Sequence, residues 1–458
     1  MVQADHGRSA SQRLSRRQLL AAGAAAAAGL TVAGGSRSAA AGPGRATAVR
    51  ATPTAGTQLN GMSHYIATVT SLESADRGFR QGVGQLGGVF QHESYDGDQQ
   101  QLLSQSELFS SLGVNGVFAF TLSDALVDPY VTQLAAQGIA YVNSGNRVPW
   151  LSPLAPQFQG LYIAQLGGSF AENGYAAATA MFERGGGAGK AILLQGTPGA
   201  ANDAYDFGYR LALEQFPDIE VVAEGMTDWD RTKANEVAQT LLSSNPDVKF
   251  IVGYNDSVAL GALAAARALN LTDFFISGCD GDPEFLGEIA ADERCVATSA
   301  LRIDYWGVLG AVLLFDHLNG IEREPLECIL DVDAIVVDTP ESAEAMLDLV
   351  GSDDDPLPYD ATRMSRFLQG DSWEYPHRVR VADPVNFDWG DAPGVVPTER
   401  PADGGWSDAY DDALEGGRLA ELNTLYEEHT VDIYDGVRSA ATYHGAGALG
   451  LFETLGVT

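Results

Sequence analysis

Lysine is almost missing from this chain. Only Lys190, Lys233 and Lys249 supply it, and Lys and Arg together number 27 against 61 Asp and Glu. The resulting formal charge of −34 repels nucleic acid and anionic membrane surfaces, so no nucleic-acid partner is expected. The acidic residues are spread over the whole chain, which suits solubility in a high-salt or otherwise demanding medium better than the capture of one cationic ligand. Cysteine is scarce, and Cys279, Cys295 and Cys328 show no metal-ligand spacing. Cys295 and Cys328 fall on adjacent predicted strands; either they pair, or all three stay as buried thiols. The HExxH, GxSxG, CxxC and haem-attachment patterns are missing as well, which removes the common zinc, serine and redox chemistries. Neither a metal nor a cofactor is expected. Paired carboxylates are abundant, so a hydrolase stays open on that ground alone.

Long apolar runs are few. The alanine-rich segment from Ala21 to Ala33 is too short and too weakly hydrophobic for a permanent anchor. Ser15-Arg16-Arg17-Gln18-Leu19-Leu20 precedes it and Ala39-Ala40-Ala41 follows. Residues 1–41 resemble a twin-arginine export signal, and 42–60 read as a Pro/Thr/Gly-rich tether. No cysteine follows closely enough to suggest a lipid anchor. A periplasmic, extracellular or cell-surface location is the expectation.

The remaining length allows two to four domains. From Ser63 onward strand and helix alternate. Strands are expected at His64–Thr70, Val89–Glu93, Val117–Thr121 and Ile139–Val142, each followed by a helix or a polar loop. A second series has strands at Ala191–Gln195, Ile219–Ala223 and Val248–Val252, with helices at Ala171–Glu183 and Tyr205–Gln215. Such units imply parallel, doubly wound sheets, and two similar halves without repeat periodicity suggest two lobes around a cleft. Gly82, Gly84 and Gly87 match the letters of GxGxxG but fall at a helix end, so they read as close packing and not as a dinucleotide site. Gly185 to Lys190 lacks the Ser/Thr of a phosphate loop and precedes a strand, so it reads as a connection.

The most informative stretch is Thr227 to Leu269. Trp229 sits between Asp228 and Asp230. Ala234, Val237, Ala238, Leu241 and Leu242 follow at helical spacing, and Ser-Asn-Pro stops that helix. After the buried strand at Val248–Val252 come Tyr254-Asn255-Asp256-Ser257, with Asp256 or Ser257 able to cap the next helix. Ligands of open α/β sheets bind at the carboxyl ends of the strands, which aims Asn255 at a cleft and lets Trp229 cover something there. Aromatic plates suit the C–H faces of sugars; planar amide, carboxylate and guanidinium groups suit their hydroxyls.

This stretch resembles the second lobe of ribose-binding-protein-type periplasmic sugar receptors, in which an aromatic–Asp–Arg segment, a strand ending in Asn-Asp and an ALGAL-type helix occur in this order. Phe274 to Gly281 resembles that family's GxDG strand end. The resemblance is specific over Asn202 to Thr339 and weaker from Ser63. It implies a type I periplasmic-binding-protein fold, with two doubly wound parallel-sheet lobes joined by a three-strand hinge. The lobes would comprise 61–164 with 302–332 and 165–301 with 333–340, with Leu330–Val337 as the last crossing strand. Residues 341–458 would form a mostly helical or irregular extension of unknown role, including an Asp353-Asp354-Asp355 triplet read as a solvated loop. By resemblance Trp229 stacks on the ligand and Asn255 and Asp280 bind it. Asn146 and Arg147 lie near the family's Asp-Arg pair, Asn202 and Asp203 replace a missing Arg, and Leu301 or Arg302 falls where a hinge Gln is expected. Ser71 and Glu73 are further candidates. The function implied is a monomeric exported receptor that delivers a monosaccharide or related polyol to ABC permease subunits without covalent chemistry. The alternatives are a signalling receptor presenting a sugar or autoinducer, and an exported hydrolase.

Overall fold

The computed structural model describes residues 56–67, 70–121, 124–145, 151–351, 356–382 and 405–443. The expected export signal, most of the tether, the triplet at 353–355 and the candidates Asn146 and Arg147 lie outside these residues.

Two sheets organise the chain. The first contains β1 (Asn60–Tyr65), β2 (Val89–Ser94), β3 (Gly116–Ala119), β4 (Ala140–Ser144) and β5 (Tyr162–Gly167), with α1 (Thr70–Gln85), α2 (Gln99–Ser106) and α3 (Val127–Ala136) between strands. The second contains β6 (Ala188–Gln195), β7 (Asp218–Met226), β8 (Val248–Gly253), β9 (Phe275–Cys279) and β10 (Cys295–Ala300). Its helices are α4 (Phe170–Arg184), α5 (Ala200–Gln215), α6 (Arg231–Ser244), α7 (Asp256–Ala268) and α8 (Pro283–Ala291). All pairings among these strands are parallel. Strands such as β8 are buried runs of Val, Phe and Ile, as expected for parallel strands covered on both faces.

The chain then recrosses. Helix α9 (Ile303–Leu318) returns to the first lobe, β11 (Ile329–Val332) pairs with β5, and β12 (Ile335–Val337) pairs antiparallel with β10. The strand expected at Leu330–Val337 is therefore two strands in different sheets, separated by Asp333 and Ala334. The boundary expected at 164 falls inside β5, which belongs whole to the first sheet. The first strand also lies earlier than His64–Thr70, because the buried Ser63 and His64 sit inside it. His64 is accommodated by Tyr130 Oη, 2.6 Å from Nδ1, and Gln105 Oε1, 2.8 Å from Nε2. Cys295 and Cys328 lie in different lobes and form no disulfide, and all three cysteines are buried.

Helix α9 is apolar nearly all round and buried over most of its length. It can lie against α1 only because glycines face the contact: a Cβ on Gly78 would fall 1.8 Å from the Asp304 carbonyl, and one on Gly307 2.1 Å from the Ala75 carbonyl.

The segment after β12 packs on both lobes. Helix α10 (Pro340–Val350) lies against α8. Short helices α11 (Ala361–Met364) and α12 (Arg366–Gln369) follow, β13 (Val379–Val381) adds antiparallel to β11, and α13 (Asp408–Glu415), α14 (Arg418–Glu428) and α15 (Asp435–Ala440) complete the described chain. Buried polar groups fasten it. The fully buried Asp316 of α9 accepts from Ser365 Oγ at 2.5 Å, Arg366 N at 2.9 Å and Phe367 N at 3.2 Å, and pairs with Arg323 at 3.5 Å. Glu327 pairs with Arg366 at 2.7 Å and accepts from Tyr426 Oη at 2.8 Å. No helix among the described residues is long and apolar enough to cross a membrane.

Candidate functional site

The carboxyl ends of both sheets, the hinge and the segment after β12 enclose a cleft of about 810 Å³. Its second-lobe wall is built by three loops that also start helices. After β7, Thr227 fastens the loop to Gln195 O through its amide (2.8 Å) and its hydroxyl (2.6 Å). Asp228 (φ 54°) and Trp229 (φ 62°) are then both left-handed, a backbone that non-glycine residues adopt at a cost of about 1 kcal/mol each. Asp230 returns the chain to α6 by capping Lys233 N at 2.7 Å. This double kink lays the Trp229 indole against Gly196, where a Cβ would sit 2.0 Å from Cε2. One flat ring thus becomes part of the cleft lining.

After β8, Asn255 Oδ1 accepts from Val258 N at 2.8 Å, so Asn255, and not Asp256 or Ser257, caps α7. Its amide nitrogen has no partner among the described residues, and Asn255 lines the cleft. The cap and ligand readings of this residue are compatible, because its two polar atoms have separate work. The fully buried Asp256 accepts from Gly281 N (2.8 Å), Asp282 N (2.7 Å) and Thr298 Oγ1 (2.8 Å). It thereby ties the β8 and β9 loops to β10, and burial, with Asp280 nearby, pushes its carboxyl well above the usual range.

After β9, Asp280 (φ 115°) and Gly281 (φ 79°) turn the chain into the cleft, and Asp282 caps α8 through Glu284 N at 2.8 Å. Burial and then the neighbouring Asp282 raise the Asp280 carboxyl to about 8. Near neutral pH such a group is protonated much of the time, so it can donate as well as accept, as a hydroxyl-bearing ligand requires.

The first lobe adds Ile66, Ser74, Arg77, Asp96 and Gly97; the hinge adds Arg302 and Asp304; the segment after β12 adds Val350, Gly351 and Leu357. Carboxylates outnumber arginines along the lining, and Arg231–Glu284 and Arg302–Asp304 are ion-paired there. That balance disfavours anionic ligands. Among the described residues, Glu288, Asp292 and Cys295 have metal-ligand spacing, but they lie outside the cleft lining and Arg267 engages both carboxylates.

The structure therefore brings Trp229, Asn255 and Asp280 together on one wall. Asn202 and Asp203 occupy the first turn of α5 and are not among the lining residues; Asn202 is buried and its amide donates to Asp203 at 3.3 Å. Glu73 is exposed in the first turn of α1, outside the lining, while Ser74 and Arg77 of the same helix reach it. Ser71 lies on that turn too, and its side chain is outside the described residues. Sequence reasoning missed Arg77, Asp96, Asp304 and Leu357. Asp96 stands in a polar turn after a strand, the one signal that pointed to it.

Residues 67–322, more than half of the chain, match the family described as periplasmic binding protein domain. A D-apiose import binding protein from Paraburkholderia graminis is 39% identical over 74 residues, 16% of this chain and 24% of that protein. A ribose import binding protein from Salmonella typhimurium is 29% identical over 199 residues, 43% of this chain and 65% of that one. The chain thus spans less than two thirds of the length of these relatives. An ABC transporter periplasmic solute binding protein from Actinobacillus succinogenes, solved with bound D-allose, aligns with a TM-score of 0.56 at 19% identity, covering 63% of this chain and 99% of that one. That likeness is one of fold.

Proposed function

Because the chain belongs to the periplasmic binding protein domain family and has a two-lobed type I fold, we propose that it is an exported solute receptor of an ABC importer. It binds a neutral monosaccharide or related polyol in the interlobe cleft and performs no catalysis. The observation that carries this reading is the convergence of a flat indole, an amide and a carboxyl that burial keeps largely protonated on one wall of the cleft. In this reading Trp229 covers a C–H face, Asn255 donates through its free amide nitrogen, and Asp280 exchanges hydrogen bonds with a hydroxyl. The first lobe, through Arg77 and Asp96, completes the contacts only when the lobes approach, so ligand favours the closed form. The closed lobes are then what permease subunits recognise, and the receptor works as a monomer delivered by the twin-arginine route. The excess of carboxylates along the cleft supports neutral solutes over sugar acids and sugar phosphates.

Calorimetric titration of the mature chain in high salt against aldopentoses, aldohexoses, cyclitols and nucleosides tests the reading. The expected result is a micromolar or tighter ligand, about −8 kcal/mol, with affinity weakened in Trp229→Ala. A folded protein that binds no member of the panel, or a Trp229→Ala variant of unchanged affinity, would overturn it.

A further inference from the structure

The segment beyond residue 340 is more than an addition to the outside of the lobes. We infer that it forms a third wall of the ligand cleft and holds the hinge arginine, Arg302, in position for a ligand oxygen; the inference rests on the receptor reading above.

Two glutamines one turn apart on α1 fix the segment's path. Gln81 receives Leu357 N on Oε1 at 2.8 Å and donates through Nε2 to the Leu357 and Tyr359 carbonyls at 3.0 and 3.1 Å. Gln85 donates to the Tyr359 carbonyl at 2.9 Å and receives Ala361 N at 2.7 Å. This seating brings Leu357 to the cleft with Val350 and Gly351, which adds apolar residues to a lining that also holds Arg302 and Asp304. It also puts the Tyr359 hydroxyl under the hinge. Arg302 Nε donates to Tyr359 Oη at 3.2 Å, Arg302 pairs with Asp304, and its guanidinium carbon lies 5.8 Å over the Tyr434 ring. Tyr359 and Tyr434 share a hydroxyl–hydroxyl bond of 2.5 Å.

Arg302 is thus held by two tyrosines that lie far along the chain from the lobes. It is a left-handed residue (φ 50°), nearly buried, and it lines the cleft. A guanidinium offers five N–H donors in a planar fork. The contacts to Tyr359, Asp304 and the Tyr434 hydroxyl take three of the five donors, so donors remain for a ligand oxygen. Tyr359 and Tyr434 are positioning residues, and Leu357 sets how much ligand the hinge end of the cleft admits. The ligand favoured is one with an acceptor oxygen and an adjacent C–H edge at that end.

The test uses the full mature chain. Tyr359→Phe removes one hydroxyl and leaves the ring against Tyr305, 5.1 Å away. Its affinity for the tightest member of the sugar panel is expected to fall about tenfold, with altered ranking among stereoisomers. Leu357→Ala is expected to admit bulkier members that the parent refuses. Tyr426→Phe, which disturbs the buried Glu327 network away from the cleft lining, serves as the control: stability falls and affinity stays within about twofold. Unchanged affinity and ranking in both Tyr359→Phe and Leu357→Ala would overturn the inference. Should the parent bind nothing in the panel, the receptor reading fails by itself, and Arg302 is then followed without ligand. Its modification by phenylglyoxal, read by peptide mass spectrometry, is expected to be several-fold faster in Tyr359→Phe. Equal rates would overturn the positioning role.

Discussion

Replacing Asp316 by alanine removes one acceptor from the place where the C-terminal segment meets the first lobe, and the structure sets the cost. Asp316 is fully buried on α9 and satisfies the Ser365 hydroxyl and two backbone amides, Arg366 N and Phe367 N, while facing the Arg323 guanidinium at 3.5 Å. Each orphaned neutral donor costs about 1–3 kcal/mol, and removing one partner of a buried charge pair typically costs about 3–5 kcal/mol. These terms overlap, since the surrounding groups relax together, so a loss of about 3–5 kcal/mol is expected. Asp316→Asn keeps one acceptor oxygen and is expected to lose less. Urea unfolding, followed by far-ultraviolet circular dichroism and tryptophan fluorescence together, measures both. A further sign is earlier proteolytic cleavage within 356–382 in the alanine variant, because α11 and α12 lose their anchor. A loss below about 1 kcal/mol for Asp316→Ala, with both probes coincident, would refute the reasoning that buried polar groups make this segment part of the core.

Two other outcomes follow from the second-lobe wall. Gly196→Ala places a methyl group where the indole lies, 2.0 Å from Cε2, so Trp229 must leave the wall. Calorimetry is expected to show ligand affinity falling about 2–10-fold, the worth of an aromatic contact, with little change in unfolding midpoint. Asp280 carries its proton to about pH 8 in the folded chain but only to about pH 4 when unfolded. The folded state therefore binds more protons in that window: the stability contributed is complete below about pH 4 and lost as pH rises through about 8. Asp280→Asn is expected to flatten the decline of unfolding midpoint between pH 5 and pH 9 without abolishing it, because Asp256 is shifted in the same direction. A slope identical to the parent's would show that the carboxyl is not held in this way.

Parallel strands such as Val248–Gly253 were legible because burial on both faces leaves a nearly continuous apolar run, interrupted there only by Lys249. The strand-end residues Trp229, Asn255 and Asp280 were legible for a related reason: their type and their place at a strand end coincide. The first strand was misplaced because Asn60 to Ser63 look like the end of a polar tether, and the groups that let His64 be buried in the strand, Tyr130 and Gln105, come from distant helices. The last crossing was read as one strand because nothing local marks the point at which Asp333 leaves one sheet for the other. His377 Nε2, 2.7 Å from the Asp333 carbonyl, and the Arg378 carbonyl, 3.0 Å from Asp333 N, hold that junction from far along the chain. Leu357 and Tyr359 were invisible as site residues on the same ground. Their place depends on two glutamines more than 270 residues away, and no local pattern encodes such a meeting.

Asp256 gives the second lobe a property its separate loops would not have. One submerged carboxyl group holds the amides of Gly281 and Asp282 and the Thr298 hydroxyl, so the turns after β8 and β9 are tied into one plate. A solute that lands on this plate meets groups already set at fixed spacing, and little ordering entropy is lost there. Chemical preference can then change by swapping the side chain at 280 while the plate keeps its shape. Recognition and scaffold are in that sense separable: the tie lies one layer below the surface that reads the solute.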